Sequence, residues 1–138
     1  MSEPKFMETV TVRLIAKAAV VICMCMIGQP HVALAKTSQW MTAKEARGWV
    51  KREIIRPRLL MKSVRCKYTP GPKGEGRQST LLKFTYGANP SGKRWRYAWG
   101  NRIPFHNRRN VKQGYKMVSN MAFRRPSGLK LGCAVWQR

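Results

Sequence analysis

Apolar residues first recur at helical spacing just after Thr42. The stripe consists of Ala43, Ala46, Trp49, Val50 and Ile54. Spacings of three and four predict an amphipathic helix of about 12–14 residues. Thr42 and Glu45 have the spacing of a capping box, in which the hydroxyl and the carboxylate bond each other's backbone N–H. Pro57 disfavours helical geometry at the preceding residue, so the helix is expected to end near Ile55 or Arg56.

From Leu59 the apolar period changes to two, which is the period of half-buried strands. Five alternating segments are predicted to be strands: Leu60–Tyr68, Thr80–Gly87, Lys93–Trp99, Tyr115–Phe123 and Leu129–Trp136. Gly- and Pro-containing turns separate most of them, and the basic stretch 100–114 is predicted to be a loop. The fold class is therefore α+β, with one N-terminal helix packed on a curved antiparallel meander of about five strands. An open β-sandwich is the alternative.

The strand phasing also predicts which side chains face the core. The residues expected on inner faces include Leu60, Val64, Cys66 and Tyr68 in the first strand and Tyr115, Met117, Met121 and Phe123 in the fourth. In the third strand Trp95, Tyr97 and Trp99 share a face, and burial of that face is the simpler interpretation. A stacking platform for bases or sugar rings is the functional alternative. Trp40 and Trp136 lie outside these patterns and are candidates for exposed aromatics.

The N-terminal 35 residues predict a cleavable secretory signal peptide. Basic residues precede a ten-residue apolar run, Ala18–Ile27, and Ala33-Leu34-Ala35 supplies small residues before a cleavage site. The run is shorter than the roughly 20 residues that a membrane-spanning helix requires. We therefore expect cleavage after Ala35 and a single small exported domain over residues 36–138, secreted or periplasmic. A retained N-terminal membrane anchor is the alternative.

Cys66 and Cys133 are the cysteines of the expected mature domain, and both are in phase with the apolar residues of their strands. Export delivers a chain to an oxidising compartment, which predicts one Cys66–Cys133 disulfide between the first strand and the last. With no second cysteine pair and one mature histidine, His106, no metal site is expected. No cofactor is expected either.

The charge is strongly one-sided. The chain has 28 Lys and Arg against five acids, all of them Glu, for a formal net charge of +23. Three bases and two acids belong to the predicted signal, so the 103 residues of the mature domain keep a net charge of +22. A hydrophobic fraction of 43% is too high for a disordered cationic tail. The surplus therefore predicts a folded domain with an anionic partner.

The strand register places much of this charge on one sheet face and an adjoining loop. The predicted binding residues of the face are Arg65, Lys67, Lys83, Arg94, Arg96, Lys116 and Lys130, and those of the loop are Arg102, Arg108 and Arg109. Arginine suits such a surface because its planar fork can bind phosphate or carboxylate through two bonds. An ordinary solvated face is the alternative interpretation.

Candidate catalytic groups are few. His106 could act with Glu53 or Glu75 as the acid and base of a small secreted ribonuclease. Glu45 is committed to the capping box, however, and Glu75 lies in a Gly- and Pro-rich loop. We therefore predict no enzyme, and no residue is assigned a catalytic role.

These observations favour an exported cationic protein that docks an anionic polymer or surface: polysaccharide, lipopolysaccharide, nucleic acid or anionic lipid. The second hypothesis is an envelope or secreted interaction module, or an inhibitor, that docks on an acidic protein. The secreted ribonuclease is the third.

Overall fold

The computed structural model describes residues 34–71 and 79–138. These residues form an α+β domain with two helices and two antiparallel sheets, of four and three strands. The predicted signal peptide lies almost wholly outside the described residues, as does Glu75, so the expectations for both stay predictions.

The elements follow one another along the chain. They are β1 (Lys36–Thr37), β2 (Met41–Thr42), α1 (Ala43–Val50) continued by a π-helical turn (Lys51–Ile55), β3 (Leu60–Tyr68), β4 (Thr80–Gly87), β5 (Trp95–Gly100), α2 (Ile103–Lys112), β6 (Lys116–Arg124) and β7 (Lys130–Gln137).

Helix α1 forms as its sequence predicts. The Glu45 N–H donates to the Thr42 hydroxyl at 3.3 Å, and the Thr42 N–H donates to the Glu45 carboxylate at 3.0 Å, so the capping box is confirmed. Hydrogen bonds from the Thr42 hydroxyl and N–H hold the pKa of Glu45 below its ordinary value. The inner stripe of Ala43, Ala46, Val50 and Ile54 is buried in the core.

Sheet 1 is built around β4. On one side β4 pairs with β3 in a hairpin, and on the other it pairs with the short strands β1 and β2. The inner face of β4 matches its prediction, since Leu82 and Phe84 are fully buried and Tyr86 packs on the same core.

Sheet 2 has the order β5–β7–β6, so the predicted meander is wrong for this half of the fold. The last strand lies between the two that precede it in the chain. This order is possible because the connection from β5 to β6 contains a helix, which carries the chain past the position that β7 then fills.

Helix α2 lies where the sequence predicted a loop, so that prediction is wrong. Pro104 occupies the first turn, where its missing N–H costs no helical bond. Ile103 of α2 packs on β7 at Gly132, where an added Cβ would lie 3.2 Å from the Ile103 side chain and 3.0 Å from the Met121 carbonyl oxygen. A side chain at this position would press on both groups, and glycine allows the close approach of helix and strand.

The prediction that Trp136 is exposed is also wrong. Its side chain is fully buried in the smaller cluster beneath α2, and its indole N–H donates to the Asn107 side chain at 2.9 Å. Asn107 lies on α2, where the sequence predicted a loop, and its side chain provides the polar partner that a buried indole needs.

The two sheets share one core, and the predicted disulfide joins them. Cys66 on β3 is bonded to Cys133 on β7, with the Cα atoms 6.1 Å apart. Nearby, the Ser119 hydroxyl accepts from the Val64 N–H at 3.3 Å and lies 3.4 Å from the Val64 carbonyl oxygen. A side chain from sheet 2 thus bonds the Val64 backbone of β3, in addition to the pairing of β3 with β4.

Register shifts alter two of the predicted faces. One falls between Met61 and Ser63, so the fully buried residue at this end of β3 is Met61 rather than Leu60. The other falls between Met117 and Ser119, so Met117 packs beneath α2 whereas Met121 packs on the main core. A bulge reverses the inward phase of every residue before it.

The aromatic strand β5 packs against the main core. Trp95, Tyr97 and Trp99 are half-buried there, and the Tyr97 ring meets Phe84 edge-on at 5.4 Å. The core interpretation of this face is therefore confirmed, although its residues keep partial exposure.

Candidate anion-binding site

The outer face of sheet 1 carries three of the ten predicted binding residues together. Arg65 and Lys83 are directly opposite each other in the β3–β4 pair, and Lys67 follows two residues after Arg65, on the same face. Arg65 and Lys67 are exposed and Lys83 is half-buried. With Trp40, these residues form a surface that we call the Trp40 face.

Trp40 reaches this surface through an irregularity at the edge of β4. Ser38 makes two hydrogen bonds with the Phe84 backbone: its N–H donates to the Phe84 carbonyl at 2.8 Å, and its side-chain hydroxyl accepts from the Phe84 N–H at 2.9 Å. Met41 then pairs with Leu82. Two residues, Gln39 and Trp40, therefore stand opposite Lys83 alone. The extra residue re-aims Trp40 toward the lysines, as bulges commonly do.

Both lysines of the Trp40 face lie over the indole ring. The Lys67 ammonium nitrogen is 4.4 Å from the ring centroid, and that of Lys83 is 5.8 Å from it. Each contact lies within the range of a cation–π interaction. The contacts hold two ammonium groups close together beside a half-exposed aromatic ring, on the same surface as Arg65.

No acidic side chain balances this charge within sheet 1 as described. In the described residues, Glu45 and Glu53 are the acids, both on the helical segment 43–55. Arg65 and Lys83 are thus like charges directly opposite on neighbouring strands, an arrangement that destabilises a sheet. Binding an anion across the pair would relieve this repulsion.

Arg96 lies elsewhere, in a second cluster beneath the end of α2. Its guanidinium is 4.4 Å from the Tyr115 ring centroid and donates to the side chains of Asn110 and Gln113. Arg138, which the sequence did not indicate, lies 5.1 Å from the same ring centroid. These hydrogen bonds join β5 to the end of α2. Arg96 therefore has a structural role, and part of its guanidinium is already bonded within the protein.

The other predicted binding residues are dispersed. Arg102, Arg108 and Arg109 are exposed on or just before α2. Lys116 begins β6 opposite Gln137, and Lys130 begins β7 opposite Arg124. Arg94 is exposed just before β5, and its backbone exchanges hydrogen bonds with that of Arg138. The predicted continuous face is therefore divided, because α2 covers the outer side of sheet 2.

The groups considered for catalysis belong to different segments: His106 to α2 and Glu53 to the π-helical turn, while Glu75 is outside the described residues. His106 is on α2, with its ring centroid 5.9 Å from that of Phe105. Among the residues described, no group of three or more His, Cys, Asp or Glu side chains could hold a metal ion. Within the same residues no helix has the length and apolar character needed to cross a membrane.

Comparison with protein-family models finds no match. Neither the curated proteins nor the solved structures include one that matches this chain.

Proposed function

We propose that the protein is an exported cationic binding protein that docks an anionic polymer on the Trp40 face. The observation that carries the proposal is the convergence of Lys67 and Lys83 on one aromatic ring, with Arg65 opposite Lys83. Export itself rests on the signal peptide that the sequence predicts.

The arrangement suits a polymer with regularly spaced phosphate, sulfate or carboxylate groups. Three cations on adjacent strands can contact successive anionic groups, and release of the polymer's counterions then favours binding. Trp40 keeps the two ammonium groups close together through its cation–π contacts, so both can meet neighbouring anionic groups. The remaining exposed cations would strengthen long-range attraction without selecting where the polymer lies.

A triple variant tests this assignment. In Arg65→Ala/Lys67→Ala/Lys83→Ala, affinity for a labelled oligothymidylate and for a sulfated heparin oligosaccharide should fall by at least about tenfold, because three phosphate or sulfate contacts are lost. The matched control is Lys44→Ala/Arg47→Ala/Lys51→Ala, which removes the same charge from α1 and its π-helical turn. Fluorescence anisotropy at one fixed salt concentration measures both.

Equal losses in the two variants would show that net charge alone causes binding, and would overturn the Trp40 face as the site. Absence of binding to both polymers by the unmodified domain would overturn the proposed function and favour docking on an acidic protein.

A further inference from the structure

A second surface lies between the N-terminal helical segment and the edge strand of sheet 2. It is a groove of about 700 Å³, lined by α1 and its π-helical turn on one side and by β5 on the other. We call it the α1–β5 groove. Its volume is within the range of small-molecule sites in proteins.

The helical wall of the groove is cationic. Lys44, Arg47 and Lys51 line it, and all three are exposed. Their spacings of three and four residues place them on one side of a helix, so their charges form a row along the groove. Of the acids in the described residues, Glu45 is held by Thr42 at the helix start and Glu53 lies in the π-helical turn, and neither lines the groove.

The rest of the groove is largely apolar. Tyr97 and Trp99 line the strand side, and Val50 and Ile55 line the helix side. Ile55 is 55% exposed, so it presents apolar surface to solvent in the groove. Burial raises the pKa of Tyr97, with Arg47 acting in the opposite direction, so the phenol is neutral and can donate a hydrogen bond.

An apolar floor beside a row of cations is complementary to an amphiphilic anion. We propose that the α1–β5 groove binds a single acyl or alkyl chain that bears an anionic head group. The chain lies along Ile55, Tyr97 and Trp99, and the head group contacts the row formed by Lys44, Arg47 and Lys51. This site is separate from the Trp40 face and does not depend on its function.

Isothermal titration with alkyl phosphates below their micelle concentrations tests the proposal on the mature domain. Dodecyl phosphate should bind saturably at one molecule per chain. Dodecylphosphocholine has the same chain with no net charge, and butyl phosphate has the same head group with a short chain. Both should bind at least about tenfold more weakly, since one lacks the net anionic head and the other the apolar contact.

Variants then place the site. Lys44→Ala/Arg47→Ala/Lys51→Ala should weaken dodecyl phosphate at least about tenfold, because ionic hydrogen bonds are lost. Arg65→Ala/Lys67→Ala/Lys83→Ala, with the same change of charge, should leave this affinity unchanged. Alanine favours the helix, so the groove variant should keep its fold by circular dichroism.

A free fatty acid and a phospholipid share this chemistry, and two further probes distinguish them. Dodecanoate binding as tightly as dodecyl phosphate assigns the site to fatty acids, and preference for lysophosphatidylglycerol assigns it to phospholipids. Equal losses in the two triple variants would overturn the proposal, as would equal affinity for dodecylphosphocholine or an absence of saturable binding. None of these results bears on polymer binding at the Trp40 face, so the two proposals can fail independently.

Discussion

At the scale of single residues, the pairing of Arg65 with Lys83 is unfavourable to the stability of sheet 1. Like charges directly opposite on adjacent strands repel, and the described part of sheet 1 offers no acid beside them. If Arg65 served mainly to stabilise the sheet, a side chain that does not repel Lys83 would be expected at this position. The proposed anion-binding role would explain why the position is cationic.

Replacing Arg65 by threonine should therefore raise stability while weakening binding. The free energy of unfolding is expected to rise by about 0.2–1 kcal/mol, since the repulsion is removed and threonine favours strands. Urea denaturation at low salt measures this gain, which should shrink as salt screens the pair. Polymer affinity should fall in the same variant.

Arg94→Thr provides the control, because Arg94 is exposed with no such pairing to Lys83. A loss of stability in Arg65→Thr that exceeds the loss in Arg94→Thr would contradict the account of this pair.

Residue exposure was only partly predictable from the sequence. The inward phase of Leu82, Phe84 and Tyr97 follows from strict alternation, which is a local property. Burial of Trp136 depends instead on α2, which covers the far side of β7. The position of Trp40 depends on Ser38 bonding to Phe84, a contact between residues 46 positions apart. Such contacts leave no periodic signal.

At the scale of elements, the two sheets meet along β3. The Cys66–Cys133 disulfide and the Ser119 hydroxyl join β3 to strands of sheet 2. The strand that carries Arg65 and Lys67 of the Trp40 face is therefore attached to both sheets. The cross-link closes a long loop, because its cysteines are 67 positions apart. It should therefore contribute strongly to stability.

The double variant Cys66→Ala/Cys133→Ala should lose about 4 kcal/mol of unfolding free energy, because the unfolded chain regains the entropy of the closed loop. Urea denaturation of the double variant and of each single variant measures the effect. Either single change breaks the cross-link, so each should lose nearly as much as the double variant.

If each single variant instead lost about half as much as the double, packing of the two sulfur atoms would explain the stability. The entropic role of the disulfide would then be refuted.

The elements themselves show where sequence reasoning succeeds. The capping box at Thr42 and Glu45 is a contact within one turn, and the five long strands follow from local alternation. Helix α2 was missed because Gly, Pro and Asn at its borders resemble a loop, while its apolar residues are too few for a clear stripe. The bulges in β3 and β6 and the insertion of β7 are set by packing between sheets.

At the scale of the whole molecule, the charge is distributed more widely than the sequence suggested. Twenty-three of the 28 basic residues lie in the described part, against Glu45 and Glu53. Eleven of them lie on the Trp40 face, the α1–β5 groove, α2 and the Arg96–Arg138 cluster, and the others are spread over the rest of the described residues. This large positive charge predicts that polymer binding weakens steeply as salt rises. The contribution of each surface to that dependence can be measured separately with variants.

The salt dependence of binding to an oligothymidylate tests the central claim most directly. For the unmodified domain, the logarithm of the association constant should fall linearly with the logarithm of salt concentration. In Arg65→Ala/Lys67→Ala/Lys83→Ala, the slope should become shallower by about 2, because three phosphate contacts with a single strand each contribute about 0.7. An unchanged slope in this variant, or a change matched by Lys44→Ala/Arg47→Ala/Lys51→Ala, would contradict the claim that the Trp40 face binds the polymer.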